Sequence, residues 1–477
     1  MTPTFDRRRW LANASCGFGS LAATALLGNA APLSAGEQPA HAPRPSTGLT
    51  HHRPRAKRII FLFMQGGVSQ VDSFDHKPDL EKRNGERLVF NDARQLAKTG
   101  KKTNHRLMQS PWKFRPYGES GKLVSDLFPH VGEHVDDFCF LHAMHTEGVA
   151  HGPATRFLHC GSTNFVRPSF GSWVNYGLGT ENEDLPGFVT IAPSIGNGGP
   201  LNYGSAFLPP EFQGTRIGNP GNPNLEIESL ASPHSLPTQR KRMELIRSLN
   251  TAQLRRRPSK EPELNAAIQS MELAWRMQQI GPGLLDITRE SKQTLSRYGL
   301  DDPKTKGYGE KCLLARRLCE AGVRFIQVNY GDNSANPAWD QHSNLPKHAD
   351  HALAVDKPIA ALIGDLKERG LLEDTIVWWG GEFGRTPYAQ DNGTGRDHNP
   401  GGFTVWLAGG GLKSGYSHGQ TDEFGFQGIQ GKVHLHDLHA TLLHQLGLDH
   451  ERLTYRHAGR DFRLTDVYGR VIQDILG

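Results

Sequence analysis

Five short apolar runs along the chain each stop abruptly at a polar or glycine-rich segment. Arg58-Ile59-Ile60-Phe61-Leu62-Phe63-Met64 gives way to Gln65-Gly66-Gly67, and Phe138-Cys139-Phe140-Leu141 to the polar region from His142 to His151. Val323-Arg324-Phe325-Ile326-Gln327-Val328 ends in Asn329-Tyr330-Gly331. Thr375-Ile376-Val377-Trp378-Trp379 ends in Gly380-Gly381-Glu382, and Phe403-Thr404-Val405-Trp406-Leu407-Ala408 in three glycines. Unbroken apolar runs of this length are the profile of strands covered on both faces. Helical patterns lie between them: Lys311 to Ala321 carries leucines at helical spacing, and Asp356-Lys357-Pro358 is expected to open a helix through Leu371 with proline near its first position. Strands alternating with helices predict an α/β fold with a mostly parallel central sheet flanked by helices. Residues 195–305 break the alternation. Pro193 to Gly221 is rich in Gly, Asn and Pro, and Glu261 to Tyr298 reads as one or two long helices broken at Gly281-Pro282-Gly283. This stretch is expected to be an inserted helical and loop-rich cap.

The amino-terminal region follows a different logic. Asp6-Arg7-Arg8-Arg9-Trp10-Leu11 sets an arginine pair, a spacer, an aromatic and a leucine before a mild apolar stretch from Cys16 to Ala35. That order is the twin-arginine export layout. Gly17, Gly19, Ser20, Gly28 and Asn29 leave the stretch short of the roughly 20 continuous apolar residues of a membrane helix. Residues 1–35 are therefore expected to be a cleaved signal read by the twin-arginine translocation machinery, giving a periplasmic or secreted product with no stable membrane span. Residues 36–57, rich in Pro, His and Arg, are expected to be a flexible linker, and 58–477 the folded domain.

Composition narrows the chemistry. A net charge of +5 over 477 residues, with basic residues scattered rather than interleaved with aromatics, excludes nucleic acid as an expected partner. Of five cysteines, Cys16 falls in the signal, and Cys139, Cys160, Cys312 and Cys319 are too few for a disulfide scaffold. Cys312 and Cys319, about 10 Å apart on one helix face, are expected to be packed thiols. The excess of glycine (54) and histidine (23) points to tight turns and metal ligands.

In parallel sheets the ligand site forms beyond the carboxyl ends of the strands, so the residues after each run are the ones to inspect. Ser69, Asp72 and Asp75 follow the first run. Asp332, Trp339-Asp340-Gln341-His342, His348 and His351 follow the third. Glu382 and Arg385 follow the fourth, with Gly395-Arg396-Asp397-His398 in a glycine-flanked loop. Carboxylate oxygen with imidazole nitrogen suits a divalent metal, here zinc, manganese or calcium, which can activate a hydroxyl and stabilise a transferring phosphoryl or sulfuryl group. Asp72, Asp340, His342, Glu382, Asp397 and His398 are the candidate metal ligands. Arg385 and Arg396 are the candidate oxyanion forks. Thr155, in the first turn of a helix that starts at His151-Gly152-Pro153, is the best candidate nucleophile, with Ser69 the runner-up. His348, Asp350 and His351, at the approach to a helix, are expected to face solvent.

Several of these segments together resemble a known family. They are Gly66-Gly67-Val68-Ser69-Gln70-Val71-Asp72-Ser73-Phe74-Asp75, Arg167 to Val174 through Leu185-Pro186-Gly187-Phe188-Val189, Trp339-Asp340-Gln341-His342, Gly381-Glu382-Phe383-Gly384-Arg385-Thr386-Pro387 and Gly395-Arg396-Asp397-His398. The match is to domain-of-unknown-function family 1501, twin-arginine-exported proteins grouped with the alkaline phosphatase and sulfatase superfamily. The resemblance implies a sulfatase-like fold and a divalent metal site. His436-Asp437-Leu438-His439-Ala440-Thr441-Leu442-Leu443 also looks like the late helix of sulfatases. By position, Asp340 and His342 would be the carboxylate and histidine after the middle strand, Glu382 would replace the usual aspartate, and His398 would be the last histidine. Two departures stand out. Gln65 occupies the end of the first strand, where superfamily enzymes carry aspartate, and the sulfatase signature of Cys or Ser followed by x-Pro-x-Arg is absent. The function implied is a metal-dependent hydrolase of phosphate or sulfate esters acting on a small-molecule or glycan ester. The competing expectation is a catalytically inactive sulfatase-fold binding or envelope protein.

Overall fold

The computed structural model describes residues 50–91, 104–219, 225, 235–256, 262–334, 336–390 and 393–477. The expected export signal and residues 36–49 of the expected linker lie outside the described residues. Residues 50–57 do not behave as a linker. The amides of His51 and His52 donate to Gly447 O, those of Arg55 and Ala56 donate to Gln445 O, and Ala56 is buried. The packed domain therefore begins at least eight residues earlier than the apolar pattern suggests, because backbone hydrogen bonds rather than side-chain burial tie this segment down.

Nine strands among the described residues form one sheet. In chain order they are β1 (Arg58–Met64), β2 (Phe138–His145), β3 (Phe188–Ile191), β4 (Thr215–Ile217), β5 (Phe325–Tyr330), β6 (Thr375–Gly380), β7 (Phe403–Ala408), β8 (Tyr416–His418) and β9 (Val433–His434). Across the sheet the order is β8-β2-β7-β6-β1-β5-β3-β4, with β9 beside β2. Only β7 runs antiparallel to its neighbours β6 and β2. β1 lies at the centre, and its alternate residues enter opposite cores. Ile60, Leu62 and Met64 pack with Leu313 and Leu318 of helix α3 (Pro303–Glu320) and Ile359 and Leu362 of α4 (Lys347–Glu368). Ile59, Phe61 and Phe63 pack with Leu158 of α1 (His151–Cys160), Trp173 of α2 (Phe170–Leu178) and Leu438 of α5 (Leu435–Gln445). A strand covered on both faces has no polar side to alternate, which is why β1 reads as one apolar run. The four described cysteines are free and buried.

The structure departs from expectation in three further places. The helix expected to open at Asp356 begins at Lys347 and carries Pro358 inside it. Asp356 does not cap that helix; its carboxylate accepts the amides of His130 and Val131 at 2.9 and 2.8 Å. His348 does not face solvent. It is fully buried, 5.0 Å from the Trp339 ring, and its Nε2 accepts the Ser69 amide. The stretch 195–305, finally, is not wholly an insertion, since it contributes β4 to the sheet edge. Its long helix Pro262–Leu285 is held at the end of the sheet away from the carboxyl termini of the parallel strands. Arg317, in the last turn of α3 and ahead of β5, donates to Gly283 O and Leu284 O, and Arg276 lies 3.8 Å from Asp184, ahead of β3.

Candidate metal centre

The carboxyl ends of β6, β1 and β5 lie side by side, with that of β2 on the same edge across the antiparallel β7, and the segments that follow β2, β5 and β6 deliver four side chains to one point. One ligand atom from each of His151, Asp340, His342 and His398 lies within 4.8 Å of all the others. His151 is the first residue of α1, after β2. Asp340 and His342 follow β5, and His398 sits in the short strand Arg396–Asn399, paired in a hairpin with Gly384–Ala389 after β6. The backbone is fitted closely here. A Cβ on Gly66, whose φ is +116°, would lie 2.7 Å from the Asp340 amide nitrogen, so the turn after β1 admits only glycine beside the site.

Asp340 is the hub. Its Oδ1 lies 2.9 Å from His342 Nε2, 3.2 Å from His398 Nε2 and 2.8 Å from Arg385 Nη2. Its Oδ2 lies 3.1 Å from His151 Nε2. Burial alone would raise this carboxyl, but imidazole N–H groups, where a ring carries a proton toward it, and the Arg385 charge hold it well below the usual carboxylate range.

The far nitrogen of each ring decides what the near one offers. His151 Nδ1 lies 2.7 Å from Glu382 Oε1, His398 Nδ1 lies 2.8 Å from Val149 O, and His342 Nδ1 lies 2.5 Å from Gln390 Oε1. All three partners are oxygen acceptors, so each ring, when neutral, keeps its proton on Nδ1 and turns the Nε2 lone pair inward. His342 and His398 Nε2 then face each other at 3.0 Å. His151 Nε2 is buried without a hydrogen bond, so its approach to Asp340 is a contact between two electron-rich atoms. Inward lone pairs around a carboxylate repel one another until a cation joins them. The residues present fit a divalent ion, with the oxygen-held Nδ1–H groups as the outer partners that orient imidazole ligands. Burial disfavours the charged His151 ring, yet Asp340 and Glu382 outweigh this and raise it above its ordinary value, so without a cation a second proton on Nε2 faces Asp340 in its place. His398 goes the other way, lowered to about 4, chiefly by burial.

Among the expected ligands, Asp340, His342 and His398 come together and the other three stand apart. Glu382, fully buried, accepts the Gly66 amide at 3.0 and 3.1 Å and spends Oε1 on His151, so it orients a ligand rather than facing the cluster centre. Asp397 accepts the His398 amide and lies 3.7 Å from His342 Nδ1. Asp72 takes a two-pronged ion pair from Arg396, at 2.7 and 3.0 Å, and the Ser69 hydroxyl donates to it. This leaves Arg396 fully buried and committed to Asp72. Arg385, also fully buried, donates to Gly66 O, Gly67 O, Trp339 O and Arg396 O as well as to Asp340, so its planar fork is spent on the scaffold. Neither arginine presents a free face to an oxyanion. Thr155 is fully buried within α1, with no surface through which its hydroxyl could reach a substrate. Gln65, at the end of β1, is buried and neutral. His151 is the member of the cluster that sequence reasoning missed. The signal was present: it is the first helical residue after a buried strand, the position that singled out the other candidates.

Beside His398 a cavity of about 240 Å³ is lined by Asn91, His145, Thr146, Gln427 and Lys432, among others. No helix among the described residues is long and apolar enough to cross a membrane.

Residues 56–476 match the profile of a family described as "Protein of unknown function (DUF1501)". The chain belongs to the DUF1501 family. No curated protein matches the sequence. Solved structures similar to this DUF1501 chain are members of the alkaline phosphatase and sulfatase superfamily. One is a sulfatase from Pseudoalteromonas sp., at 13% identity over 83% of this chain and 69% of that chain, with a TM-score of 0.36. A protein in the alkaline phosphatase superfamily from Vibrio parahaemolyticus shares 10% identity over 92% and 75%, with a TM-score of 0.36. An alkaline phosphatase from the Antarctic bacterium TAB5 shares 10% identity over 82% and 98%, with a TM-score of 0.32. Likeness at these scores says nothing of chemistry.

Proposed function

We propose that this DUF1501 protein is an exported, metal-dependent hydrolase of phosphate or sulfate esters. The observation that carries the reading is the convergence of His151, Asp340, His342 and His398, with each Nδ1–H held by an oxygen. Three imidazoles and one carboxylate favour zinc or manganese over calcium, which prefers a shell of oxygens. A divalent ion held there supplies Lewis acidity to a phosphoryl or sulfuryl oxygen. The chain's own residues keep the centre in register: Glu382, Val149 O and Gln390 orient the rings, and Arg385 pins Asp340. His342, with 28% of its side chain exposed, marks the side open to substrate.

Export through the twin-arginine route, which carries folded proteins, fits a centre loaded with metal before translocation; the sequence of residues 1–35 supports it. The competing reading is a catalytically silent binding protein. It draws on Thr155 being buried and on both arginines being committed to the scaffold.

Two measurements on protein purified from its native export route decide between them. Elemental analysis should find close to one equivalent of zinc or manganese, and less than a tenth of an equivalent would defeat the metal reading. Hydrolysis of 4-nitrophenyl phosphate or sulfate that is abolished by Asp340→Ala supports the enzyme. A metal-replete protein inert on both esters and on a panel of sulfated and phosphorylated sugars supports the silent protein.

A further inference from the structure

Among the described residues, the exposed large apolar side chains include two pairs adjacent in sequence, Phe165-Val166 and Val467-Tyr468; the others stand singly along the chain. The fold sets the two pairs side by side. Arg167, next to Val166, grips Asp466, next to Val467, with Nη1 and Nη2 both 3.1 Å from Oδ2. The Arg167 guanidinium also lies 5.8 Å from the centre of the Phe165 ring and 5.8 Å from that of Phe462. Phe165 is 65% exposed, Val166 53%, Val467 69% and Tyr468 58%. None of the four belongs to the metal centre.

Both turns are held firmly. Asp466 has a φ of +51°, a left-handed conformation that residues other than glycine seldom adopt. Arg460 donates to the same carboxylate, and Arg463 donates to Asp466 O. The Tyr468 ring stacks on the buried His436, with 5.6 Å between centres and 15° between planes. In the other turn the Phe165 amide donates to Ser162 Oγ at 3.1 Å, and Arg156 donates to Thr163 O at 3.2 Å. Apolar side chains fixed in water gain nothing there, but they can meet a partner without the cost of being ordered.

The surroundings select the partner. The rim carries exposed charges of both signs, Arg456 and Arg460 with Asp461 and Glu451. A partner of one sign, or an anionic lipid surface, would be repelled by part of that rim. A second copy turned about a two-fold axis can instead set arginines of one protomer against acids of the other. The area agrees. Aromatic side chains bury roughly 150–250 Å² each, so the four exposed fractions leave roughly 400 Å² of apolar surface, about half of the ~800 Å² that each partner gives to a stable interface, and the polar rim supplies the rest. We propose that this face is the interface of a homodimer, with Phe165, Val166, Val467 and Tyr468 at its centre. It does so whether or not the metal centre hydrolyses esters.

The test is sedimentation equilibrium of protein purified from its native export route. Between about 1 and 100 µM it should follow a monomer–dimer equilibrium with a Kd of about 10 µM. Phe165→Asp and Val467→Asp each put a charge at the centre of the apolar patch and should each weaken the dimer at least about thirtyfold. Val89→Asp, at an equally exposed valine outside the patch, should leave the Kd within about twofold. All three positions are exposed, so the variants should fold, with Tm values within about 2 °C of the parent. Protein that stays monomeric at about 100 µM overturns the proposal, as does a dimer that the patch variants weaken no more than Val89→Asp does. A monomer that binds phosphatidylglycerol vesicles through the patch would assign the face to a membrane and would equally overturn the homodimer.

Discussion

Replacing Asp72 by Asn tests whether the ion pair beneath the metal centre is structural. Asp72 and Arg396 are both fully buried and meet through two hydrogen bonds at 2.7 and 3.0 Å. Asn keeps the shape and one acceptor but leaves an uncompensated guanidinium in the interior. Breaking a buried pair on one side costs about 3–5 kcal/mol. Roughly 420 folded residues at about 2.1 cal/mol/K each give an unfolding entropy near 0.9 kcal/mol/K, so Tm should fall by about 3–6 °C. The assay is thermal unfolding of chelator-treated protein, so that metal binding does not mask the change. Arg396 directly precedes Asp397 and His398, so the variant should also weaken metal binding. The double variant Asp72→Asn/Arg396→Met removes the stranded charge and should be less destabilised than the two single changes added together. A Tm shift under about 1 °C for Asp72→Asn, or strict additivity in the double variant, would refute a structural pair and return Arg396 to the list of groups free for substrate.

Further outcomes follow from the same geometry. Glu382→Gln loses the charge that holds His151 Nδ1–H and should lower zinc affinity about 10- to 100-fold in a chelator competition while zinc still binds stoichiometrically at saturation. Thr155→Val should leave hydrolysis within about twofold and raise stability by about 1 kcal/mol, because the buried Oγ1 has no hydrogen-bond partner; a large loss of turnover would restore Thr155 as the attacking group. Burial lowers His159 to about 4, and His436 and His439 to about 3, so the folded protein holds these rings neutral while the unfolded chain protonates them near pH 6.5. The sign is that of depressed bases: stability is full above about pH 6.5 and is lost as pH falls toward 3 to 4, by roughly 3 kcal/mol for fully buried His159 alone, as chemical denaturation across that range should record. Denaturation midpoints that do not move between pH 7 and pH 4 would contradict the burial of these rings.

What could be read from the chain alone is set by local rules. Ile59 to Met64 is apolar at every position because β1 is covered on both faces, and that pattern needs no knowledge of neighbours. The places where parallel strands end, and hence Asp340, His342 and His398 as residues to inspect, follow from the same runs. The helix start at Lys347 was not legible, because Pro358 looks like a start signal and only packing against α3 shows that it lies mid-helix. Nor was the division of labour among the polar residues. Asp72 and Asp340 are alike as side chains after strands; one is spent on Arg396 and the other gathers three imidazoles, according to which loops fold over them. His151 joins the cluster because β2, more than 170 residues before β5 in sequence, brings its carboxyl end to the same edge of the sheet. Residue type sets what an atom can bind, but the proton on each histidine, and therefore the inward lone pair, is set by the oxygen behind it. Those oxygens, on Glu382, Gln390 and Val149, come from two separate segments of the chain, and only the tertiary structure brings them together.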